Sequence, residues 1–326
     1  MTTQPKTMLD PELREPLEGF LAAIGGGFDL GNLQATREMV KGMIAAVKAQ
    51  VPPIGGVDTE DRKVPGRDGQ PDVPVRVYRP SAAAGRAVPA FLWMHAGGWM
   101  LGDLEMDDLA LAALAKEIGC VIVSVDYRLS PEHRFPAALH DCYAALAWLA
   151  DESRALGVDP ARIAVGGASA GGNLAASLAL LARQRGGPRI AYQLLIYPSL
   201  DDRTALPASD DHPETYFWSR QNSIDAWTAY LGHPPGRDGV PTLAAPARAT
   251  DLTGLPPAYI AVGTLDPFLD ENIDYARKLI DANVACELRV YPGAFHAFDV
   301  FASQGRISQQ FAADRNAALR RNLFGA

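Results

Sequence analysis

The sequence has few of the features that mark secreted proteins. Among its 326 residues there are only three cysteines, Cys120, Cys142 and Cys286, and their spacing fits neither a C-x-x-C pair nor a disulfide framework. An odd number of cysteines in apolar surroundings favours reduced core thiols and a reducing compartment. We therefore expect a cytoplasmic protein.

Positive charge and long apolar runs are also scarce. Lys and Arg number 30 against 38 Asp and Glu, which gives a formal net charge of -8, and no basic stripe is visible. Nucleic acid binding depends on such a basic surface, so we expect no nucleic acid partner. No apolar stretch is long enough to cross a bilayer, and residues 1–30 lack the basic start and apolar run of a signal peptide. We expect no membrane insertion.

Signatures of metal ions and phosphate-bearing cofactors are missing as well. The six histidines form no H-E-x-x-H motif and no cluster with ligand spacing. The run Gly25-Gly26-Gly27 is not followed by a phosphate-binding pattern. We expect neither a metal site nor another cofactor.

Apolar residues, in contrast, make up 48% of the sequence, enough to bury a large core. From Ala90 onward, predicted strands and helices alternate, which is typical of a parallel sheet with helices on both faces. An antiparallel hairpin around Pro65 to Gly69 precedes this alternation. The eight predicted strands are Val57 to Val64, Val73 to Arg79, Ala90 to Met94, Val121 to Val125, Ile163 to Val165, Ala191 to Tyr197, Ala258 to Val262 and Cys286 to Tyr291.

Two segments depart from the alternation. Residues 1–55 carry apolar positions at helical spacing, and residues 201–255 are rich in proline around a predicted helix from Asn222 to Leu231. We expect both segments to form a helical cap over a core made of residues 56–200 and 256–326. Aromatic residues cluster in the second segment, where they either line a substrate pocket or pack the cap: Tyr216, Phe217, Trp218, Trp227 and Tyr230.

A serine at a sharp turn is the first candidate for chemistry. Ser169 lies between Gly167 and Gly171, after the predicted strand Ile163 to Val165 and before a run of helix formers from Asn173 to Arg185. A chain that passes so abruptly from strand to helix strains its central residue, and only glycine or alanine two positions away leaves room for it. This G-x-S-x-G pattern predicts a nucleophilic serine raised above the edge of the sheet.

A serine nucleophile needs a base that is oriented by an acid, and two later strands supply both groups. Asp266 follows the strand that ends at Val262, and His296 follows the strand that ends at Tyr291. Because the carboxyl ends of parallel strands share one edge, these residues are expected to meet Ser169 there. Asp270 and Glu271 are competing acids, but their place at a predicted helix start favours capping.

Donors for a developing oxyanion are expected on the loop after the strand that ends at Met94. Gly97 and Gly98 let backbone N–H groups approach a substrate oxygen, and the N–H of Ala170 is the third predicted donor. His95, at the start of this loop, is expected to hold the loop by hydrogen bonds.

Six motifs taken together resemble the bacterial hormone-sensitive lipase family of esterases. This resemblance runs in one consistent order from about Val73 to His296. It implies an α/β-hydrolase core under a cap, a Ser169, Asp266 and His296 triad, and esters of short to medium acyl chains as substrates. Trp99, Tyr197, Phe217 and Trp218 are expected to contact the substrate. The motifs are His95-Ala96-Gly97-Gly98, Asp126-Tyr127-Arg128-Leu129-Ser130-Pro131-Glu132-His133, Gly167-Ala168-Ser169-Ala170-Gly171-Gly172, Tyr197-Pro198, Asp266-Pro267-Phe268-Leu269-Asp270-Glu271 and His296-Ala297-Phe298.

The chain departs from the family pattern at two positions. Ala96 replaces the first glycine of the donor loop, which leaves both donating glycines intact. Ala168 replaces the Asp or Thr that commonly precedes the nucleophile and so removes a polar side chain from beneath the turn. Asp126, Arg128 and Glu132 are expected to be structural, with the arginine and carboxylates holding the donor loop in shape.

The sequence therefore predicts a serine carboxylesterase that acts on small ester substrates through an acyl-enzyme intermediate. The same residues would also serve a lactonase or an amidase, and a ligand-binding protein of this fold with little turnover is a further alternative. The edge strand and the final helix suggest a homodimer by analogy with the family.

Overall fold

The computed structural model describes residues 9–205 and 216–325. Residues 1–8, 206–215 and 326 lie outside the described part. The expected cap segments 1–55 and 201–255 are thus described only in part, and Pro207 and Pro213 of the second segment fall outside it.

One eight-stranded sheet organises the molecule, as the sequence predicts. Its strand order is β1-β2-β4-β3-β5-β6-β7-β8. The pairs β1–β2 and β2–β4 are antiparallel, and all the other neighbours are parallel. The strands are β1 (Val57–Val64), β2 (Val73–Pro80), β3 (Val88–Met94), β4 (Val121–Val125), β5 (Val158–Ala168), β6 (Tyr192–Ile196), β7 (Ala258–Gly263) and β8 (Cys286–Tyr291).

Helices pack against the sheet. The α-helices of the described residues are α1 (Pro11–Ile24), α2 (Leu33–Gln50), α3 (Asp108–Ile118), α4 (Ala137–Asp151), α5 (Ser153–Leu156), α6 (Ala170–Arg185), α7 (Arg220–Leu231), α8 (Leu269–Asp281), α9 (Phe298–Phe301) and α10 (Arg306–Phe324). Short 3-10 turns occur at Leu30–Asn32, Ser81–Ala83, Asp202–Ala205 and Pro246–Arg248. None of the helices in the described ranges is long and apolar enough to span a bilayer.

Burial on both faces explains why the central strands are mostly apolar. Every residue of β3, β4, β6 and β7 is buried. Since helices cover both faces of a parallel sheet, such strands show no alternation of apolar and polar residues. The edge strand β8 is more exposed.

The strand before Ser169 is longer than the sequence predicts. β5 begins at Val158 rather than at Ile163, because Asp159 and Pro160 obscure its start. Its carboxyl end pairs with β3 on one side and β6 on the other, and Met94 is the register partner of Gly167. The loop after β3 therefore starts beside the turn that carries Ser169.

The N-terminal helices and α7 are joined by hydrogen bonds to the core and to each other. The Asn222 side chain on α7 donates to the carbonyl of Phe28 at 2.9 Å. The Asp10 amide, at the N-cap of α1, donates to the carbonyl of Gly293 at 3.0 Å, in the loop after β8. On α2, Lys48 forms ion pairs with Glu105 and Asp108. These contacts join the N-terminal helices to α7 and to the loops that follow β3 and β8.

Candidate active site

Ser169 occupies the strained position that the sequence predicts. Its φ is 56°, in the left-handed region that side chains rarely adopt, and α6 begins at the next residue. A Cβ on Gly167 would lie 2.4 Å from the Gly171 carbonyl carbon, and a Cβ on Gly171 would lie 2.0 Å from the Met94 oxygen. Two positions without side chains are therefore required for the turn to fit against β3. The predicted start of α6, at Asn173, is three residues late, because Ala170 and two glycines already belong to the helix.

The structure brings Ser169, His296 and Asp266 into one hydrogen-bonded line. The Ser169 Oγ is 3.0 Å from Nε2 of His296, and Nδ1 of His296 is 2.8 Å from Oδ2 of Asp266. Because a carboxylate can only accept, Nδ1 carries the proton and Nε2 is free to accept from the serine hydroxyl. The side chain of Asp266 is fully buried.

A backbone amide fixes the orientation of the Asp266 carboxylate. The N–H of Phe268 donates to Oδ1 of Asp266 at 2.9 Å, which leaves Oδ2 for the histidine. The competing acids lie elsewhere. Asp270 is exposed on α8. Glu271 is buried and accepts from the amide of Leu200 at 2.6 Å.

The expected capping role of Glu271 is therefore wrong. Its carboxylate also accepts from the Thr204 hydroxyl, and burial raises its pKa well above the usual value. Glu271 braces the segment after β6 instead of the start of α8. A pattern typical of a helix start depends only on neighbouring residues. The Glu271 side chain instead accepts from a backbone amide that is distant in sequence.

The loop after β3 offers backbone donors toward Ser169. Gly97 and Gly98 have φ values of 117° and 60°, and the Gly97 carbonyl accepts from the amides of Met100 and Leu101 in a tight turn. Within the described residues, the amides of Gly97, Gly98 and Ala170 have no backbone acceptor. Gly98 and Ala170 line a cavity together with Ser169.

His95 stabilises this loop through hydrogen bonds and ring stacking. Its Nδ1 donates to the carbonyl of Ala96 at 2.7 Å, and its ring stacks on Tyr127 with the centroids 4.2 Å apart. The Tyr127 hydroxyl donates to the carbonyl of His95 at 2.8 Å. Complete burial lowers the pKa of His95 to about 4, so the ring is neutral at neutral pH.

Arg37 on α2 also holds the donor loop, and the sequence gives no sign of this. Its Nε donates to the Met100 carbonyl at 2.8 Å, and Nη2 donates to the Ser130 carbonyl at 3.0 Å. Both terminal nitrogens also contact the carboxylate of Glu132. The Arg37 guanidinium on α2 therefore joins the loop after β3 to the loop after β4.

The expected grouping of Asp126, Arg128 and Glu132 is not found. Arg128 pairs with buried Asp141 of α4 at 2.7 Å, whereas Glu132 pairs with Arg37. The carboxylate of Asp126 makes no ion pair with any described residue, and burial raises its pKa to about 6. The motif thus supports two separate contacts rather than one cluster.

Two of the four expected substrate-contacting residues line the cavity that opens on Ser169. They are Trp99 and Trp218, and the cavity volume is about 10 Å³. The complete described lining is Gly98, Trp99, Ser169, Ala170, Ser199, Trp218, Ser223, Ala226, Trp227 and Phe268.

The other two expected contacts, Phe217 and Tyr197, are not among the described lining residues. Phe217 packs against Phe20 and Phe301, with ring centroids 5.5 and 4.5 Å away. Tyr197 packs edge to face against His296, with the two ring centroids 4.7 Å apart. An aromatic residue in the sequence predicts a buried side chain, but the sequence does not predict whether that side chain faces the cavity.

Tyr197 connects His296 to a second carboxylate. The hydroxyl of Tyr197 donates to Oδ1 of Asp299 at 2.9 Å. Burial raises the pKa of Tyr197 well above its usual value, and burial also raises the pKa of Asp299. The tyrosine therefore stays protonated and forms a fixed wall behind the imidazole.

The arrangement suits acyl transfer. A serine hydroxyl, an imidazole and a buried carboxylate are in line, and Gly98 and Ala170 line the cavity beside the serine. In residues 9–205 and 216–325, no group of three His, Cys, Asp or Glu side chains is placed to hold a metal ion.

Comparisons with known proteins agree with this geometry. A family model described as the alpha/beta hydrolase fold matches residues 91–300. Carboxylesterase NlhH of Mycobacterium tuberculosis is 41% identical over 269 residues, which are 81% of this chain and 82% of that protein. Carboxylic ester hydrolase LipN of the same species is 40% identical over 262 residues, which are 78% of this chain and 68% of that protein.

A solved structure is similar over nearly the whole chain. The bacterial heroin esterase superposes with a TM-score of 0.88 at 40% sequence identity. The superposition covers 97% of this chain and 98% of the other. The likeness therefore extends beyond the sheet and its flanking helices.

Proposed function

Because the chain belongs to the α/β-hydrolase fold family, in its hormone-sensitive lipase branch, we propose that it hydrolyses short- to medium-chain acyl esters with Ser169 as nucleophile. The protein is a carboxylic ester hydrolase. The observation that carries the residue assignment is the buried line of hydrogen bonds from Ser169 through His296 to Asp266.

Acylation begins with proton transfer from serine to histidine. The Ser169 Oγ attacks the ester carbonyl carbon while Nε2 of His296, 3.0 Å away, takes the hydroxyl proton. Asp266 holds the ring through Nδ1 and stabilises the imidazolium that forms. The imidazolium then protonates the leaving alcohol, and an acyl-serine remains.

Deacylation repeats the same steps with water. His296 takes a proton from the water that attacks the acyl-serine and returns it to Ser169 as the acid product leaves. In both halves, negative charge develops on the former carbonyl oxygen. The amides of Gly97, Gly98 and Ala170 are the proposed donors to that oxygen, and loss of one such donor typically costs about 100- to 1,000-fold in rate.

The division of the chain is part of the proposal. Residues 1–55 and 201–255 would form the cap, and residues 56–200 and 256–326 the catalytic core. Support comes from the described helices α1, α2 and α7, which pack above the carboxyl ends of the strands and contact the catalytic loops.

Substitution of Ser169 tests the assignment. We expect Ser169→Ala to abolish the hydrolysis of p-nitrophenyl acetate and butyrate and to prevent labelling by a fluorophosphonate. The matched control is Ser177→Ala on the same helix, since the buried hydroxyl of Ser177 has no hydrogen-bond partner in the described structure. A Ser169→Ala variant as active as the wild type would overturn the proposal.

Lactones and amides are the alternative substrates, because the same triad attacks any activated acyl group. The intact line of three residues disfavours a binding protein without turnover. Fluorophosphonate labelling separates a hydrolase from such a binding protein, since the label reacts only with an activated serine.

The compartment and the assembly state complete the proposal. Cys120, Cys142 and Cys286 are unpaired thiols, which is typical of a reducing cytoplasm. The exposed edge strand β8 is available to pair with a second copy, and we propose a homodimer on that basis.

A further inference from the structure

The residues that line the cavity beside Ser169 indicate which part of an ester would enter it. Its lining includes Ser169 and the proposed donors Gly98 and Ala170, whereas His296 is not among the described lining residues. The leaving oxygen must sit beside Nε2 of His296 to receive its proton. Because the donors and not the base line the cavity, its lining favours the acyl chain over the alcohol as the group that enters.

The cavity is very small. Its volume of about 10 Å³ corresponds to room for about one water molecule or one methyl group. An acetyl group places a single methyl beyond the carbonyl carbon, whereas each further methylene needs additional space.

Trp218 forms the wall that limits this space. A Cβ added to Gly98 would lie 2.7 Å from Cη2 and 3.0 Å from Cζ2 of Trp218. The edge of the indole thus lies directly against the backbone of the donor loop. No methylene fits between the two without movement of one of them.

Hydrogen bonds hold the indole of Trp218 in this position. Its Nε1 donates to Oγ of Ser223 at 3.0 Å, and Ser223 lies in the first turn of α7. That turn is fixed by a capping box between Ser219 and Asn222, and Asn222 also donates to the carbonyl of Phe28. The wall is therefore anchored at both cap segments.

Trp218 is also the tryptophan of the lining that can be removed with least damage. Trp99 stacks on Tyr230 with centroids 4.4 Å apart, and Trp227 packs against Trp99 at 4.6 Å. Trp218 stands outside this aromatic stack, and its nearest described ring contact is His296 at 6.4 Å.

We infer that Trp218 sets the acyl limit of the enzyme, so that acetyl esters are its preferred substrates and longer acyl chains are excluded by the indole. This inference rests on the proposed function, and it narrows the substrate class from short- and medium-chain esters to acetyl esters.

The test compares kcat/KM for p-nitrophenyl acetate, butyrate and octanoate in wild type, Trp218→Ala and Trp218→Phe. We expect wild type to prefer acetate. The octanoate-to-acetate ratio should rise at least about tenfold in Trp218→Ala, in line with the 10- to 200-fold effect of one methylene in an apolar pocket, and less in Trp218→Phe. Trp148→Ala, on α4 and outside the described lining, is the matched control and should keep the wild-type ratio.

Rates are normalised to the fraction of enzyme labelled by a fluorophosphonate, so that poorly folded variants do not distort the ratio. A wild type that prefers butyrate or octanoate to acetate, or a labelled Trp218→Ala with an unchanged ratio, overturns the inference. A wild type that neither turns over acetate nor takes the label instead overturns the proposed function.

Discussion

Replacing Gly171 by alanine tests how tightly the serine turn is packed against the strand that feeds the donor loop. In an ordinary helix this change stabilises the protein, since alanine has the higher helix propensity by about 1 kcal/mol. At Gly171 the new methyl would lie 2.0 Å from the Met94 oxygen and 2.5 Å from the His95 oxygen, both in the backbone. A real carbon atom does not approach closer than 3.0 Å, so the start of α6 and the end of β3 must separate by roughly 1 Å.

This separation changes catalysis more than stability. The start of α6 carries Ser169 and the proposed donor Ala170, whereas the end of β3 leads to Gly97 and Gly98. A misplacement of about 1 Å can cost about 100-fold in rate, because the nucleophile and the donors no longer meet the same carbonyl. We expect Gly171→Ala to lower kcat for p-nitrophenyl acetate by about 100-fold, while overpacking costs about 1–3 kcal/mol of stability.

The assay measures kcat and KM well below the melting temperature, with circular dichroism to confirm folding. Gly42→Ala is the matched control, because Gly42 is an exposed helical glycine on α2 with no atom within 4 Å of a built Cβ. That variant should keep wild-type kinetics and gain about 1 kcal/mol in stability. If Gly171→Ala behaves like Gly42→Ala, the close contact between the turn and the donor loop is not what positions the site.

Two further predictions concern buried charges. Burial raises the pKa of Asp107 to about 6, so the free energy of unfolding of the wild type falls as pH rises from about 4 to about 6. Asp107→Asn can still accept from Trp93, and it should be about 3 kcal/mol more stable than the wild type above pH 6 and no more stable at pH 4. Urea unfolding at the two pH values measures this, and an equal gain at both would contradict it. Arg248→Ala leaves the fully buried Asp202 without its ion-pair partner and should cost about 3–5 kcal/mol, whereas the exposed control Arg277→Ala should cost less than about 1 kcal/mol. Melting curves of the two variants measure these costs. Equal losses of stability would show that burial of the Asp202 ion pair is unimportant.

The sheet and the hydrogen-bonded line of Ser169, His296 and Asp266 could be predicted because both depend on short-range sequence patterns. The interior strands β3 and β7 carry no charged residue, since both faces of the sheet are covered. Ser169, Asp266 and His296 each follow a strand directly, and parallel strands bring those positions to one edge. Here short-range sequence patterns and the overall topology point to the same arrangement.

Contacts between distant side chains left no such pattern. Arg37 is the one arginine of the amphipathic helix α2, and nothing in the neighbouring sequence shows that it binds the Met100 and Ser130 carbonyls. Glu271 fits a helix start by its position, yet its carboxylate binds the segment after β6. Phe217 and Tyr197 are aromatic residues whose direction depends on the packing of the cap. In each case the deciding partner is more than sixty residues away.

The place of β8 in the strand order has a consequence for how the enzyme responds to heat. Ser169 follows a strand in the middle of the sheet, but His296 follows β8, which pairs with β7 alone. Edges of sheets open at lower free energy than the sheet as a whole, so warming should detach the base from the nucleophile before the molecule melts. Activity would then be lost reversibly at temperatures where the fold is still intact. The hydrogen bond from Asp10 to Gly293 opposes this opening, because it joins the loop after β8 to the start of α1.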